Sequence, residues 1–264
     1  MLHHPTYDKL NKLRLFGMAR ALHDQGSLDL DHLGFEERLG LLVDREATER
    51  DGRQLALRLV RAKLKPNTVA EDTDYRHARG LDKPLFQRLL AGQWLSEKQN
   101  VLLTGPTGVG KTWLACALAH QACRQGYSAY YVRLPRLLDE LSIGRADGRY
   151  TKLLKQLARI DALVIDDWGL AVLDDVHRRD LLEVLDDRHG ARSTIVTSQL
   201  LRGRARKSCN AMNSFMRSPS ARTPLLSASS GFPSMHNRDV FVSRVGKTGG
   251  HHVCKVLRIS TENR

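Results

Sequence analysis

The chain has 264 residues, 41% hydrophobic and 27% charged, enough for one large core and a small appendage. No apolar run approaches the roughly 18 residues of a membrane span. The opening Met1-Leu2-His3-His4-Pro5 lacks the basic-then-apolar order of a signal peptide, so a cytoplasmic protein with no membrane partner is expected. The formal charge of +13 invites a nucleic-acid reading, but residues 200–264 hold 12 of the 42 Lys+Arg and 2 of the 29 Asp+Glu. The high isoelectric point is mostly a property of that tail.

In chain order, Leu10, Leu13, Gly17 and Ala21 recur at helical spacing between Thr6 and about Gln25. A second helical run goes from about Phe35 to Leu64, charged through its middle and followed by Pro66. Residues 67–84 lapse into polar and turn residues, and a domain boundary is expected there. From Asn100 short apolar strands alternate with helices. The strands are Val101–Thr104, Ser128–Val132, Ala162–Ile165 and Ser193–Thr197; the helices are Thr112–Arg124, Pro135–Leu141, Tyr150–Ala158 and His177–His189. Strands alternating with helices imply βαβ units around a parallel sheet covered on both faces. After Leu200 the pattern ends. Ser, Arg and Pro dominate, and only Val240–Val242 and Val253–Ile259 are apolar enough for further elements. The expected division is therefore a helical domain (1–75), an α/β core (76–200) and a basic, irregular tail (201–264). The four cysteines form no CxxC pair, and Cys116 and Cys123 fall seven apart in a helical stretch, as reduced apolar-face residues would.

The strongest motif is Gly105-Pro106-Thr107-Gly108-Val109-Gly110-Lys111-Thr112, a full match to the P-loop pattern between an apolar strand and a helix. Its glycines let backbone amides close on phosphate oxygens, and the helix start adds its positive dipole end. Lys111 supplies a point charge for the β- and γ-phosphates of ATP, and Thr112 a hydroxyl for Mg²⁺. Downstream, Leu163-Val164-Ile165-Asp166-Asp167 is an apolar strand ending in two acids. The first, Asp166, is the expected metal acid. The second, Asp167, is placed to orient or deprotonate an attacking water. One whole strand lies between the two motifs in sequence, and an acid directly follows the metal acid; both point to the ATP-hydrolysing branch. Ile195-Val196-Thr197-Ser198-Gln199 ends a further strand with polar side chains at the carboxyl edge, where parallel sheets bind ligands. Ser198 is the candidate γ-phosphate sensor, with a simple strand cap as the alternative.

Several stretches together resemble the IstB-like ATP-binding proteins, AAA+ helpers encoded beside transposases in bacterial insertion sequences and relatives of the DnaC helicase loaders. They are HHPTYDKLNKLRLFGMARAL, FEERLGLLVDRE, NVLLTGPTGVGKTWLACALAHQACRQGY, ALVIDDWGL and RRDLLEVLDDRHGARSTIVTSQL. The resemblance implies an AAA+ P-loop ATPase, oligomeric and DNA-binding, that prepares target DNA and stimulates a partner transposase. A helicase loader, or a nucleotide-binding relic without turnover, are the alternatives. Lys9, Lys12, Arg14 and Arg20, and Arg58, Arg61, Lys63 and Lys65, are the candidate DNA contacts, against the plainer reading of solvated helix faces. After Leu200 the resemblance stops. The family's further segment, with its Asp-Arg-Leu stretch and an arginine expected to act across a subunit interface, is not found. So abrupt a change suggests a frameshift or a fused reading frame, with genuine divergence as the alternative.

Overall fold

The computed structural model describes residues 5–27, 32–75, 81–168 and 173–199, together with the backbone of two strands, Val242–Val245 and His252–Arg258. Contacts divide the chain into two units, residues 1–58 and 59–264.

The first unit contains α1 (Pro5–Lys12), α2 (Phe16–Gln25) and most of α3 (Phe35–Ala62). The single helical run expected from Thr6 to Gln25 is broken in two. Arg14 takes a left-handed φ of 60°. The Leu15 and Arg14 amides donate back to Leu10 O and Asn11 O, the paired bonds of a left-handed helix stop. Such stops usually carry Gly or Asn; an arginine there gives no warning. The first amides of α2 have no cap from Leu15. They find one in Glu46 of α3, whose Oε2 accepts from Gly17 N at 2.7 Å and Met18 N at 3.2 Å. Gly17 is required by proximity, since a Cβ there would lie 2.7 Å from Glu46 Cα. Burial pushes the Glu46 carboxyl upward, but Arg50 and the two amides outweigh it and hold the group below its usual value.

The second unit is a six-stranded sheet in the order β2-β3-β4-β1-β6-β5. Here β1 is Asn100–Thr104, β2 Ala129–Arg133, β3 Ala162–Trp168, β4 Ser193–Ser198, β5 Val242–Val245 and β6 His252–Arg258. The first four strands are mutually parallel. Of the two apolar patches of the tail, Val253–Ile259 overlaps β6, which is parallel to β1, and Val240–Val242 meets β5, antiparallel to β6, at Val242 alone. Leu102, Leu163, Ile165 and Val196 face a layer made of α7 (Leu134–Ala146), α8 (Tyr150–Arg159) and α9 (Asp175–Arg188). The alternate residues Val101, Leu103, Val164 and Ile195, all fully buried, face the opposite layer. That layer holds α6 (Lys111–Arg124), which packs against all four parallel strands, and α4 (Lys83–Leu90), which packs on α6; the short α5 (Gln93–Ser96) follows α4.

The polar stretch expected to separate two domains is instead docked on α6. Asn67 O accepts from Trp113 Nε1 at 3.2 Å, and Arg124 pairs with Glu71. Its composition reads as a linker because backbone carbonyls and surface charges, not apolar side chains, make these contacts.

Arg188 closes the far end of the sheet. It is 1% exposed and donates to Leu157 O, Ile160 O, Ser193 O and Thr194 Oγ1, tying α8, α9 and β4 together. Within the sheet, β4 lies between the strand that leads into the P-loop and the strand that carries the two acids. This is a P-loop NTPase fold of AAA+ type, a parallel sheet flanked by helices.

Candidate active site

The site forms where β1 ends and α6 begins. Gly105 is buried at the end of β1, Pro106, Thr107 and Gly108 are exposed, and buried Val109 anchors the loop. Gly108 and Gly110 have φ of 87° and 88°, left-handed values that any Cβ would strain. Gly110 caps α6, whose first residue is Lys111. The Lys111 side chain is only 8% exposed, and its Nζ donates to Pro106 O at 2.6 Å. Burial lowers its pKa below the usual 10.5, partly offset by the charges of Asp166 and Asp167.

Asp166 sits at the carboxyl end of β3 and is 1% exposed. Its carboxylate receives three hydroxyls from three elements. Thr112 Oγ1 donates at 2.9 Å to Oδ1 and 3.0 Å to Oδ2, Tyr131 OH donates to Oδ2 at 2.7 Å, and Thr197 Oγ1 donates to Oδ1. Burial first, then the bond to Asp166, pushes the Tyr131 phenol well above its ordinary value, so it stays a donor. The next residue, Asp167, takes a left-handed φ of 63°. This turn carries its amide to Thr197 Oγ1 (3.2 Å) and its carboxylate to Arg133, whose Nε lies 2.8 Å from Oδ2.

Thr107, Gly108, Gly110, Lys111, Thr112, Asp167 and Gln199 line one cleft of about 470 Å³, opposite Lys65, Pro66, Thr68 and Trp113. Thr112 thus bonds Asp166 directly, and Lys111 lines the same cleft as Asp167. Ser198 is placed elsewhere. It shares the sheet face of Val196, is 3% exposed, and donates to Trp168 O at 2.9 Å. Its neighbours take the site: Thr197 touches both acids, and Gln199 Oε1 accepts from Thr107 Oγ1 at 2.7 Å. Gln199 belongs to the polar strand end that the motif reading singles out, whereas Tyr131 and Arg133 are neighbours of the acids that it overlooks.

The oxygens present suit a hard cation that brings other ligands with it. No group of three or more His, Cys, Asp or Glu able to hold a metal occurs among the described residues. A Thr hydroxyl beside one Asp carboxylate is the small donor set with which Mg²⁺, completed by phosphate oxygens and waters, is held.

Of the basic candidates, Lys9, Lys12 and Arg14 are exposed, whereas Arg20 pairs with Glu49. Lys63 lies 5.3 Å from the Tyr130 ring, and Lys65 belongs to the cleft. Among the described residues no helix is long and apolar enough to cross a membrane.

Known proteins match most of this chain. The family described as IstB-like ATP binding protein matches residues 8–207. An insertion sequence IS1162 ATP-binding protein of Pseudomonas fluorescens is 55% identical over 202 residues, covering 76% of this chain and 87% of the relative. An insertion sequence ATP-binding protein of Sinorhizobium fredii is 51% identical over 201 residues, covering 76% and 82%. Among solved structures, the DnaC helicase loader aligns with a TM-score of 0.44 at 26% identity, over 50% of this chain and 77% of that one. With its P-loop, paired acids and a match spanning three quarters of its length, the chain belongs to the family of IstB-like ATP-binding proteins.

Proposed function

We propose that this chain binds Mg²⁺–ATP in the cleft between the 105–112 loop and the 65–68 turn, hydrolyses it, and uses that cycle on DNA to assist a transposase. The observation that carries the nucleotide reading is the Thr112 hydroxyl on the Asp166 carboxylate, with Lys111 and Asp167 opening into the same cleft. The loop amides and the Lys111 ammonium hold the β- and γ-phosphates. Thr112 gives its hydrogen to Asp166, so its oxygen would be free to hold Mg²⁺, with the Asp166 carboxylate beside it as the second group that would hold the ion. Mg²⁺, when bound, supplies neutralising charge to the phosphates. Asp167 accepts the proton of the attacking water, and Gln199, tied to Thr107 beside the phosphate loop, orients it.

The transposition part of the reading is supported by family membership and by relatives described as insertion-sequence ATP-binding proteins. DNA, a transposase encoded nearby and further copies of this chain are the partners, in the cytoplasm, with exposed Lys9, Lys12 and Arg14 as phosphate contacts.

The test is an equilibrium titration of Mg²⁺–ATP on the full chain and on Lys111→Ala, with and without duplex DNA, followed by steady-state hydrolysis. One charge-assisted contact to phosphate contributes about 1.5–3 kcal/mol, so affinity should fall roughly 10- to 100-fold. Equal affinity in both proteins would sink the assignment. DNA without effect on binding or turnover would sink the coupling.

A further inference from the structure

A carboxylate has about four lone-pair positions, and those of Asp166 are shared among three hydroxyls. Thr197 of β4 holds Oδ1 from one side of β3, and Tyr131 of β2 holds Oδ2 from the other. Thr112 bridges both oxygens. Thr112 is also the residue proposed to ligate the metal, so its hydroxyl cannot alone fix the carboxylate plane.

The geometry of β2 explains why tyrosine does this. In the parallel register Arg133 lies beside Asp166 and Tyr131 beside Val164, two residues earlier on the same face. Two residues of strand span about 6.6 Å. A phenol is long enough to cover that step, and rigid enough to deliver its hydroxyl at one place. Arg133, the nearer residue, passes on to Asp167. The edge strand therefore grips the two acids separately, one through each side chain.

We infer that Tyr131 is a positioning residue for the metal site: it fixes the Asp166 carboxylate in the orientation that Mg²⁺ binding uses. This rests on the nucleotide reading above. Tyr131→Phe removes the hydroxyl and keeps the ring. Oδ2 is then left to Thr112 alone, among the described residues, and the carboxylate is held less firmly about its last torsion, by Thr197 and Thr112 only.

ATP binding to the full chain and to Tyr131→Phe should be titrated across a Mg²⁺ series and again in chelator without metal, with thermal melting of both proteins. Groups that orient metal ligands typically change metal affinity 10- to 100-fold when removed. Because Thr197 and Thr112 still hold Asp166, the Mg²⁺ concentration for half-maximal ATP binding should rise about 10-fold, the low end of that range. Metal-free ATP affinity and the melting temperature should stay nearly unchanged. An unaltered Mg²⁺ requirement in Tyr131→Phe, or an equal loss of metal-free and metal-dependent affinity, overturns the positioning role and leaves the nucleotide site standing. ATP binding that ignores Mg²⁺ in the unsubstituted chain overturns both readings together.

Discussion

Arg188 offers the most quantitative test of how this fold is held together. Burial pushes its guanidinium down to about 9, so it is still charged at neutral pH, with four oxygens in place of a carboxylate partner. Replacing it by Leu strands three buried backbone carbonyls, those of Leu157, Ile160 and Ser193. At about 1–3 kcal/mol for each orphaned acceptor, the ceiling is about 3–9 kcal/mol. Two effects pull the value down: the cost of burying a charge disappears, and water enters the shortened site. A net loss of about 3–5 kcal/mol, the lower part of that range, follows. In a domain of this size that is roughly 6–20 °C of melting temperature. Arg188→Lys should recover little, because an ammonium keeps the charge but cannot span acceptors on α8 and β4 at once. Urea unfolding of both variants, with the slope checked for constancy, measures the effect. A loss under about 1 kcal/mol for Arg188→Leu would mean that the carbonyls find other donors and that Arg188 is not the clasp described.

Three further outcomes are expected. Asp167→Asn should keep Mg²⁺–ATP binding while slowing turnover at least 100-fold, the low end of general-base contributions, whereas Asp166→Asn should also weaken metal-dependent binding; identical behaviour in titration and turnover would refute the division of roles. Phosphate binding favours the charged form of Lys111, and burial lowers its pKa in the free protein. Affinity should therefore be present at neutral pH and lost as pH rises through that lowered value, a fall absent in Lys111→Ala; parallel profiles by titration calorimetry would contradict it. Gly17→Ala forces a Cβ against the Glu46 backbone and should cost about 1–3 kcal/mol, read as faster hydrogen exchange in α2; unchanged exchange would mean that the α2–α3 contact gives way freely.

Much of the site was legible because its parts are local. The loop from Gly105 to Thr112 and the strand ending in Asp166-Asp167 each carry their chemistry in consecutive residues, and hydrophobic runs located the strands β1 to β4. What failed needed knowledge of faces. Every residue of β4 is buried, so no polar alternation tells which side Ser198 takes. Only the register with β3 shows that Thr197 meets the acids and Ser198 does not. Tyr131 and Arg133 were hidden for the same reason: a strand was expected there, but nothing in its composition says that it borders β3. The helix stop at Arg14 was missed, because this residue adopts a left-handed φ without being Gly or Asn; the end of the second run, expected at about Leu64, falls at Ala62, before left-handed Lys63. Helix α4 went unread although Asp82 caps it at Leu85 N and Pro84 opens it, because its apolar face is short and follows a polar stretch.

The left-handed backbone at Asp167 narrows what mutation can do there. Asp, Asn and Gly tolerate that conformation; most other residues add strain to whatever chemistry they remove. Ala or Glu at this position would therefore confuse two effects, loss of the base and a distorted strand end, while Asn separates them. From either aspartate codon a single base change reaches asparagine or glycine, both compatible with the turn. On the proposed mechanism, a folded chain that still takes up nucleotide but no longer turns it over is one such change away.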